Sequence, residues 1–415
     1  MVTPANARAT SQTSHARSCR YGPWSLPRQA SANNDPANAV GWTSIVGAKG
    51  RNYVAGNLFP RQLTAQMGER PISVATLQGD DVGRPVGQFR FFIPQLSVDA
   101  SDRLHLLWGE PADAETPVTA QDWSHQAITS IWTAVHQGGT TWSAPRKVYS
   151  GEKLHWDRGM TPDDDGLGEN RIALVPVENH RAAPGVLGVF RFTGDSIVAS
   201  TIEPFSTPLY PSIVALGRTV LLALVAPARD RLPGQATGYD VNSVWIQRSL
   251  DGGATWEKEV LISRSGSTPA YELRLVSSPD GTLHLVWIQS RTDGTAVVRH
   301  VVSADSGVTW SAPIDLEVTP VQFAKLHVVV DACGVVNVIH EYLDFDAGQT
   351  RVEYATWDGR WSPIASLFSE HRVRTGLLQR DAEGTVRVVV QVMSGSTPLG
   401  GPEKTMYMER TIAVQ

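Results

Sequence analysis

Cysteine is scarce in this chain, which has only Cys19 and Cys333 among its 415 residues. Cys19 falls in an N-terminal stretch that looks unstructured, and Cys333 lies beside a turn. Two cysteines in such places do not predict a disulfide framework. The sequence also lacks the Cys and His spacing of zinc sites, a phosphate-binding glycine loop and a G-x-S-x-G elbow. We therefore expect neither a metal nor a cofactor.

Long apolar runs and clustered basic charge are also missing. No stretch approaches the ~20 apolar residues of a membrane-spanning helix. The net charge is −5 and the pI is about 6.1, without the basic face that a nucleic-acid-binding protein needs. The first 40 residues are rich in Ser, Ala, Asn, Pro and Arg and have no apolar signal segment, so we predict a disordered leader at 1–40. This favours a cytoplasmic location slightly over a secreted one.

Two short stretches of the chain are near-copies of each other. Residues 249–256 read SLDGGATW and residues 303–310 read SADSGVTW, with their tryptophans 54 residues apart. Strand-like runs flank both copies, which indicates a hairpin between antiparallel strands. The Asp carboxylate can accept backbone N–H groups within such a turn, and glycine permits a positive φ. A repeat of this period predicts stacked supersecondary units.

The shared pattern S-x-D-x-G-x-T-W resembles the Asp box, or BNR repeat, of the sialidase-like β-propellers. Degenerate copies at 135–145 and 357–363 extend the pattern. In that family the Asp box is structural and lies on the face away from the active site. The resemblance therefore implies an all-β fold in which these hairpins staple the blades, and chemistry belongs on the opposite face.

A second repeated element, a turn followed by an apolar strand, occurs six times. We predict a six-bladed β-propeller of four-stranded antiparallel blades at 41–415. Residues 41–88 form a surface segment and a closing strand around 70–77, because an open ring would leave strand edges unpaired. Seven blades remain an alternative if residues 41–69 contribute strands. The predicted blades are 89–150, 151–207, 208–265, 266–320, 321–369 and 370–415.

The starts of the innermost strands should line the functional face. A sialidase of this fold needs three arginines that clamp a sugar carboxylate, a Tyr/Glu nucleophile pair and an acid/base. The resemblance gives candidate catalytic residues, which are Asp157, Glu272 and Tyr271. It also gives candidate substrate-binding residues, which are Arg90, Trp156, Arg158, Tyr210, Arg274, His327 and Arg374.

One position departs from the sialidase pattern. The first clamp arginine belongs in a Y/F-R-I-P segment, but residues 91–94 read FFIP, with Phe92 at the arginine position. Tyr271 and Glu272 are adjacent, so a regular strand would point them to opposite sides. Both features weigh against ordinary sialidase activity.

Three functions remain open. We favour a carbohydrate-active enzyme, a glycoside hydrolase or lyase acting on an anionic or polyhydroxylated glycan at the mouth of the central channel. Asp157 or Glu272 would serve as acid/base, Arg158, Arg274 and Arg374 would bind an anionic group, and Trp156 and Tyr210 would stack on a sugar. The alternatives are a non-catalytic propeller that binds glycan or protein, and a pocket adapted to small-molecule biosynthetic chemistry. We expect a monomer that binds a glycan or small molecule.

Overall fold

A computed structural model gives the structure of the protein. It describes residues 19–30, 38–48, 51–60, 72–86, 92–98, 103–111, 127–155, 163–164, 169–176, 184–193, 196–206, 209–227, 242–264, 268–293, 295–317, 324–344, 349–368, 373–380, 385–393 and 402–414. The regular secondary structure in these ranges consists of β-strands alone. None of these ranges contains a helix with the length and apolarity needed to span a membrane.

Fourteen strands lie in the N-terminal half of the chain. They are β1 (Cys19–Tyr21), β2 (Arg28–Gln29), β3 (Asn38–Ala48), β4 (Arg51–Pro60), β5 (Ile72–Thr76), β6 (Phe92–Val98), β7 (Leu104–Pro111), β8 (Ala127–Gly138), β9 (Thr141–Trp142), β10 (Arg146–His155), β11 (Asp163–Asp164), β12 (Glu169–Pro176), β13 (Pro184–Thr193) and β14 (Ser196–Ser206).

Sixteen strands follow in the C-terminal half. They are β15 (Leu209–Leu216), β16 (Thr219–Pro227), β17 (Asn242–Ser249), β18 (Val260–Ser263), β19 (Ala270–Ser277), β20 (Leu283–Ser290), β21 (Ala296–Ser303), β22 (Ile314–Glu317), β23 (Ala324–Val330), β24 (Val336–Asp344), β25 (Gln349–Trp357), β26 (Ala365–Leu367), β27 (Val373–Arg380), β28 (Val386–Met393), β29 (Pro402–Arg410) and β30 (Ile412–Val414).

Consecutive strands pair into antiparallel sheets. Strands β15–β18, β19–β22 and β23–β26 form three four-stranded sheets, each in chain order. The first strands of successive sheets contact one another, from β15 to β19, β19 to β23, β23 to β27, β27 to β3 and β3 to β6. We call these six the inner strands. The prediction of an all-β protein built from four-stranded antiparallel sheets is confirmed for these sheets.

The second strand of the β19–β22 sheet is buried on both faces. In β20, Leu283, Leu285 and Trp287 pack into one apolar cluster, which includes Val214 of the preceding sheet. Val286 and Ile288 point the other way, into a cluster with β23. A strand covered on both faces needs a continuous apolar run rather than an alternating one. This packing explains the repeated apolar strands of the sequence.

The two S-x-D-x-G-x-T-W hairpins make the same contacts. In the second copy the Asp305 carboxylate accepts the Thr309 backbone N–H at 2.9 Å and the Thr309 hydroxyl at 2.6 Å. Asp251 and Thr255 repeat these two bonds at 2.8 and 2.6 Å. Gly307 has a φ of 82°, and a Cβ there would collide with Leu221 of the preceding sheet. The hairpin is therefore a staple between sheets.

The N-terminal segment corrects several predictions. Part of the predicted leader is ordered, because β1 pairs with β30 and β2 pairs with β29. Strands β3, β4 and β5 form a three-stranded sheet of their own, rather than a surface segment and a closing strand. Arg28–Gln29 supplies the fourth strand of the C-terminal sheet instead. A two-residue polar strand has no hydrophobic pattern, so its sequence does not reveal it.

The predicted boundary between residues 150 and 151 is also crossed by hydrogen bonds. Strand β10 extends to His155 and pairs with β12 through Leu154 and His155. The strands of the first two predicted blades therefore belong to one nine-stranded sheet, β6–β14.

A disulfide joins Cys19 to Cys333, with Cα atoms 6.3 Å apart, which corrects the expectation that these cysteines stay unpaired. The bond forms because the leader lies against the turn between β23 and β24. Around it, the Tyr21 hydroxyl donates to the Asp331 carboxylate at 3.2 Å. The Trp24 ring meets the Tyr354 ring edge-on at 4.9 Å. We call residues 19–30 the N-terminal strap.

Loss of the disulfide should destabilise the protein. Replacing both cysteines by serine should lower the free energy of unfolding by about 2–5 kcal/mol, because the bond closes a long loop of the unfolded chain. Denaturant unfolding with and without a reducing agent measures this loss. The reducing agent should have no effect on the double-serine variant, which serves as the control. Equal stabilities of the oxidised and reduced wild type would contradict the prediction.

Candidate functional site

The best-described group of predicted site residues lies where β19 and β23 begin. These two inner strands contact each other in neighbouring sheets. Tyr271, Glu272 and Arg274 come from β19, and His327 comes from β23. The structure therefore brings together four residues that the sequence selected separately.

A β-bulge shapes the start of β19. Tyr271 pairs with Ile288, but the next pair is Arg274 with Val286, so two residues of β19 lie opposite one residue of β20. Glu272 takes a φ of 49° within this bulge. Bulges of this kind interrupt the alternation of side chains along a strand.

The bulge decides which side chains share a face. Tyr271 packs into the apolar cluster that contains β23, whereas Leu273 packs into the cluster on the side of β15. In a regular strand residues 271 and 273 would lie on the same side. The reversal turns Arg274 toward β23, where its charge acts on His327. The expectation that Tyr271 and Glu272 point to opposite sides assumed a regular strand, and the bulge at Glu272 removes that basis.

Glu272 and Arg274 form a largely buried ion pair. The nearest atoms, Glu272 Oε2 and Arg274 Nη2, are 3.6 Å apart, with 3% and 17% of the two side chains exposed. A second guanidinium nitrogen of Arg274 donates to the Leu273 carbonyl at 2.7 Å. Breaking such a pair would leave a buried charge without its counterion. These two contacts hold the guanidinium in place.

His327 lies beside two cationic side chains and is neutral at neutral pH. Burial lowers its pKa well below the usual value of 6.5, and the positive charges of Arg274 and Lys325 lower it further. Lys325 pairs in register with Glu341 of β24, whose side chain is buried. A neutral imidazole can accept a proton, and neighbouring cations can hold an anion beside it.

Tyr271 keeps its proton at neutral pH. Burial raises the pKa of its hydroxyl, the charge of Glu272 raises it further, and a hydrogen bond with the Ser290 side chain lowers it. A protonated phenol can act as a proton donor. Ser290, on β20, was not identified from the sequence, because a serine at a strand end carries no distinguishing pattern.

Tyr210 occupies a similar bulge in the neighbouring sheet. In β15, Leu209 pairs with Val225 and the next pair is Ser212 with Ala223. Tyr210 takes a φ of 50° and packs against the apolar cluster that β15 and β19 share. The structure thus places Tyr210 one inner strand away from Glu272.

The other predicted site residues are only partly covered. Arg90, Trp156, Asp157 and Arg158 lie outside the described residues. Arg374 lies on β27, and its side chain is outside the described part of the structure, as is that of Phe92. Their roles stay predictions. In the described ranges no group of three or more His, Cys, Asp or Glu side chains could hold a metal ion.

A chain of buried polar groups lies elsewhere, between the neighbouring sheets β19–β22 and β23–β26. Ser278 Oγ is 2.8 Å from His284 Nε2, and His284 Nδ1 is 3.0 Å from His300 Nε2. The His300 ring meets the Trp357 ring edge-on at 5.0 Å. Burial lowers the pKa of His284 to about 4 and that of His300 to about 3. Both histidines are buried, and neither is among the site residues selected from the sequence.

Comparisons with known proteins support the fold. Polysaccharide lyase Uly1 matches with a TM-score of 0.56 at 12% identity, over 89% of this chain and 89% of that one. A PL25 ulvan lyase bound to -[GlcA(1-4)Rha3S]- matches with a TM-score of 0.51 at 11% identity, over 93% and 95%. The NanB sialidase of Streptococcus pneumoniae matches with a TM-score of 0.43 at 12% identity, over 94% and 70%.

Sequence comparison adds no relative. No protein-family profile matches the chain, and no curated protein matches it either. At identities this low the two lyases show a similarity of fold alone, and this similarity agrees with the predicted all-β fold.

The two buried histidines should make stability depend on pH. In the unfolded chain a histidine titrates near 6.5, so the unfolded state binds more protons than the folded state between that pH and about 4. Stability is therefore complete above about pH 6.5 and falls as the pH drops toward 4. Urea unfolding across this range measures the fall.

Replacing His300 by glutamine should flatten this dependence, since glutamine does not titrate. A variant whose unfolding free energy changes with pH in parallel with the wild type would show that other groups cause the dependence.

Proposed function

We propose that this protein is a carbohydrate-active enzyme of the sialidase-like clan that acts on an anionic glycan at the starts of the inner strands. The observation that carries the proposal is the neutral His327 beside the cations Arg274 and Lys325. This arrangement suits a substrate that carries a carboxylate next to an acidic C–H bond. The lyase neighbours agree in chemistry, since one of those enzymes was solved bound to -[GlcA(1-4)Rha3S]-.

The proposed architecture is a ring of seven units. The groups would be β3–β5, β6–β10, β11–β14, β15–β18, β19–β22, β23–β26 and β27–β29 with β2. The contact between β27 and β3 supports closure of this ring. The β3–β5 sheet favours seven units over the six that we favour from sequence.

The proposed reaction is β-elimination at a uronic acid. The guanidinium of Arg274 binds the carboxylate bidentately and stabilises the negative charge that develops as the α-proton leaves. His327 takes that proton from C5. The electron pair forms a C4–C5 double bond, and the glycosidic C4–O bond breaks. The leaving oxygen takes a proton from the Tyr271 hydroxyl.

Glu272 has a different role from the acid/base role considered from sequence. Its carboxylate is paired with Arg274, so we assign it to holding the guanidinium rather than to transferring protons. We keep the binding and catalytic roles predicted from the sequence for the remaining candidates, which are Asp157, Arg158, Trp156, Arg90 and Arg374. Tyr210 would stack on a sugar ring.

An oxidising compartment fits both the proposed substrate and the disulfide. Disulfides persist in exported proteins and are rare in the cytosol, where thiols stay reduced. The Cys19–Cys333 bond therefore favours a working location outside the reducing cytosol, in place of the slight cytoplasmic preference from sequence. Acidic polysaccharides that are too large to enter a cell are also found outside the cytosol.

Removing either clamp arginine should weaken the binding of acidic glycan. Arg274→Ala and Arg374→Ala should each weaken binding of a glucuronate-containing polysaccharide at least ~10-fold, because a charge-assisted hydrogen bond is worth about 1.5–3 kcal/mol. Titration calorimetry measures the affinity. Arg299→Ala is a matched control, because Arg299 pairs with Asp315 on the outer strands of the same sheet. Unchanged affinity of Arg274→Ala would contradict the assignment of Arg274 to carboxylate binding.

Turnover should require a neutral His327. The rate of unsaturated uronyl product, followed by its ultraviolet absorbance, should fall ~100-fold or more in His327→Ala. In the wild type kcat should hold constant as the pH drops through 6.5, since the pKa of His327 lies well below that value.

The type of product separates the alternatives. Cleavage with incorporation of water and no double bond would identify a hydrolase. Binding with no cleavage would identify a non-catalytic glycan-binding propeller.

A further inference from the structure

The inner strands bend at the same place in three sheets. Consecutive paired residues are Phe92 and Gln95 in β6, Leu209 and Ser212 in β15, and Tyr271 and Arg274 in β19. In each case two residues of the inner strand lie opposite one residue of the second strand. A feature that recurs at one register position belongs to the architecture rather than to one loop. Bulges in such places re-aim side chains beside binding sites.

Two of these bulges hold a residue in the left-handed region. Tyr210 has a φ of 50° and Glu272 a φ of 49°, and each is the first extra residue of its bulge. Glycine fits this conformation without strain, whereas a residue with a Cβ is strained there. A bulky tyrosine and a glutamate therefore occupy positions where the backbone alone would favour glycine.

The two strained residues lie on neighbouring inner strands. Strand β15 contacts β19, and Tyr210 packs on the cluster that contains Ala270 and Leu273 of β19. Glu272 is 2% exposed and pairs with Arg274. One bulge thus supplies an aromatic ring, and the next supplies a carboxylate that fixes a guanidinium.

We propose that the paired bulges of Tyr210 and Glu272 are a ligand-binding device in which backbone strain is retained for the sake of the two side chains. Glu272 is a positioning residue that holds Arg274 in the orientation that meets a carboxylate. Tyr210 presents its ring to the apolar face of the adjoining sugar. This inference rests on the proposed function for the ligand, whereas the strain itself is independent of it.

The strain is tested first, without a ligand. At each position the glycine variant should melt about 1–2 °C above the alanine variant, because only glycine relieves the left-handed backbone. Comparing the two variants cancels the lost side chain, including the lost ion pair. Ser277, in the regular part of β19, is the matched control. There the alanine variant should melt at the higher temperature. Alanine variants that melt higher at 210 and 272 would overturn the proposal.

The ligand role is tested with a glucuronate-containing polysaccharide and the same polymer with its carboxyl groups reduced to alcohols. Glu272→Gln and Glu272→Gly should weaken binding of the carboxylated polymer at least tenfold and leave binding of the reduced polymer unchanged. A merely structural role would weaken both. Tyr210→Gly should weaken both polymers about equally, and Tyr210→Phe should weaken neither, because the ring supplies the contact.

The two failures are distinguishable. A wild type that binds neither polymer contradicts the proposed function and, with it, the ligand role of the bulges. A wild type that binds the carboxylated polymer, with glycine variants that bind it equally well, overturns this inference and leaves the proposed function in place.

Discussion

Burial of second strands such as β20 on both faces is the constraint on which the rest of this structure depends. Leu285 and Val286 are adjacent in β20, yet they face different neighbouring sheets, and both are fully buried. Removing such a side chain costs about 2–5 kcal/mol, so each sheet needs a sheet on either side. Successive inner strands then lie side by side, and their starts share one edge. Arg274 and His327 meet there although they are 53 residues apart in sequence.

The same constraint explains the N-terminal strap. The last sheet has only three strands of its own, β27–β29, and Arg28–Gln29 completes it. The strap is held by backbone hydrogen bonds, by the disulfide and by side chains such as Tyr21, which donates to Asp331. Cys19, Tyr21 and Trp24 also pack against an apolar cluster of the sheets β23–β26 and β27–β29, and Ala30 is buried in another cluster. The strap therefore closes the edge of the last sheet and covers part of the core.

Sequence predicted the parts of the fold that depend on local patterns. The twin hairpins around Asp251 and Asp305 form the expected turn networks, because each uses contacts within eight residues. Pairings of distant segments escaped prediction, since the β2–β29 pairing and the Cys19–Cys333 bond depend on where the N-terminal strap lies in the fold. In the site, residue types pointed to Glu272, Arg274 and His327. The sequence did not predict how these residues are arranged, because no glycine marks the bulge at Glu272.

The central claim is that Arg274, held by Glu272, binds the carboxylate of an acidic sugar beside the neutral His327. A crystal structure of the Tyr271→Phe variant with a glucuronate-containing oligosaccharide tests it most directly, since loss of the hydroxyl should slow cleavage while the binding groups remain. The account predicts a sugar carboxylate within hydrogen-bonding distance of the Arg274 guanidinium, with the C5 atom facing the His327 imidazole. An oligosaccharide bound elsewhere, or one whose carboxylate does not touch Arg274, would contradict it.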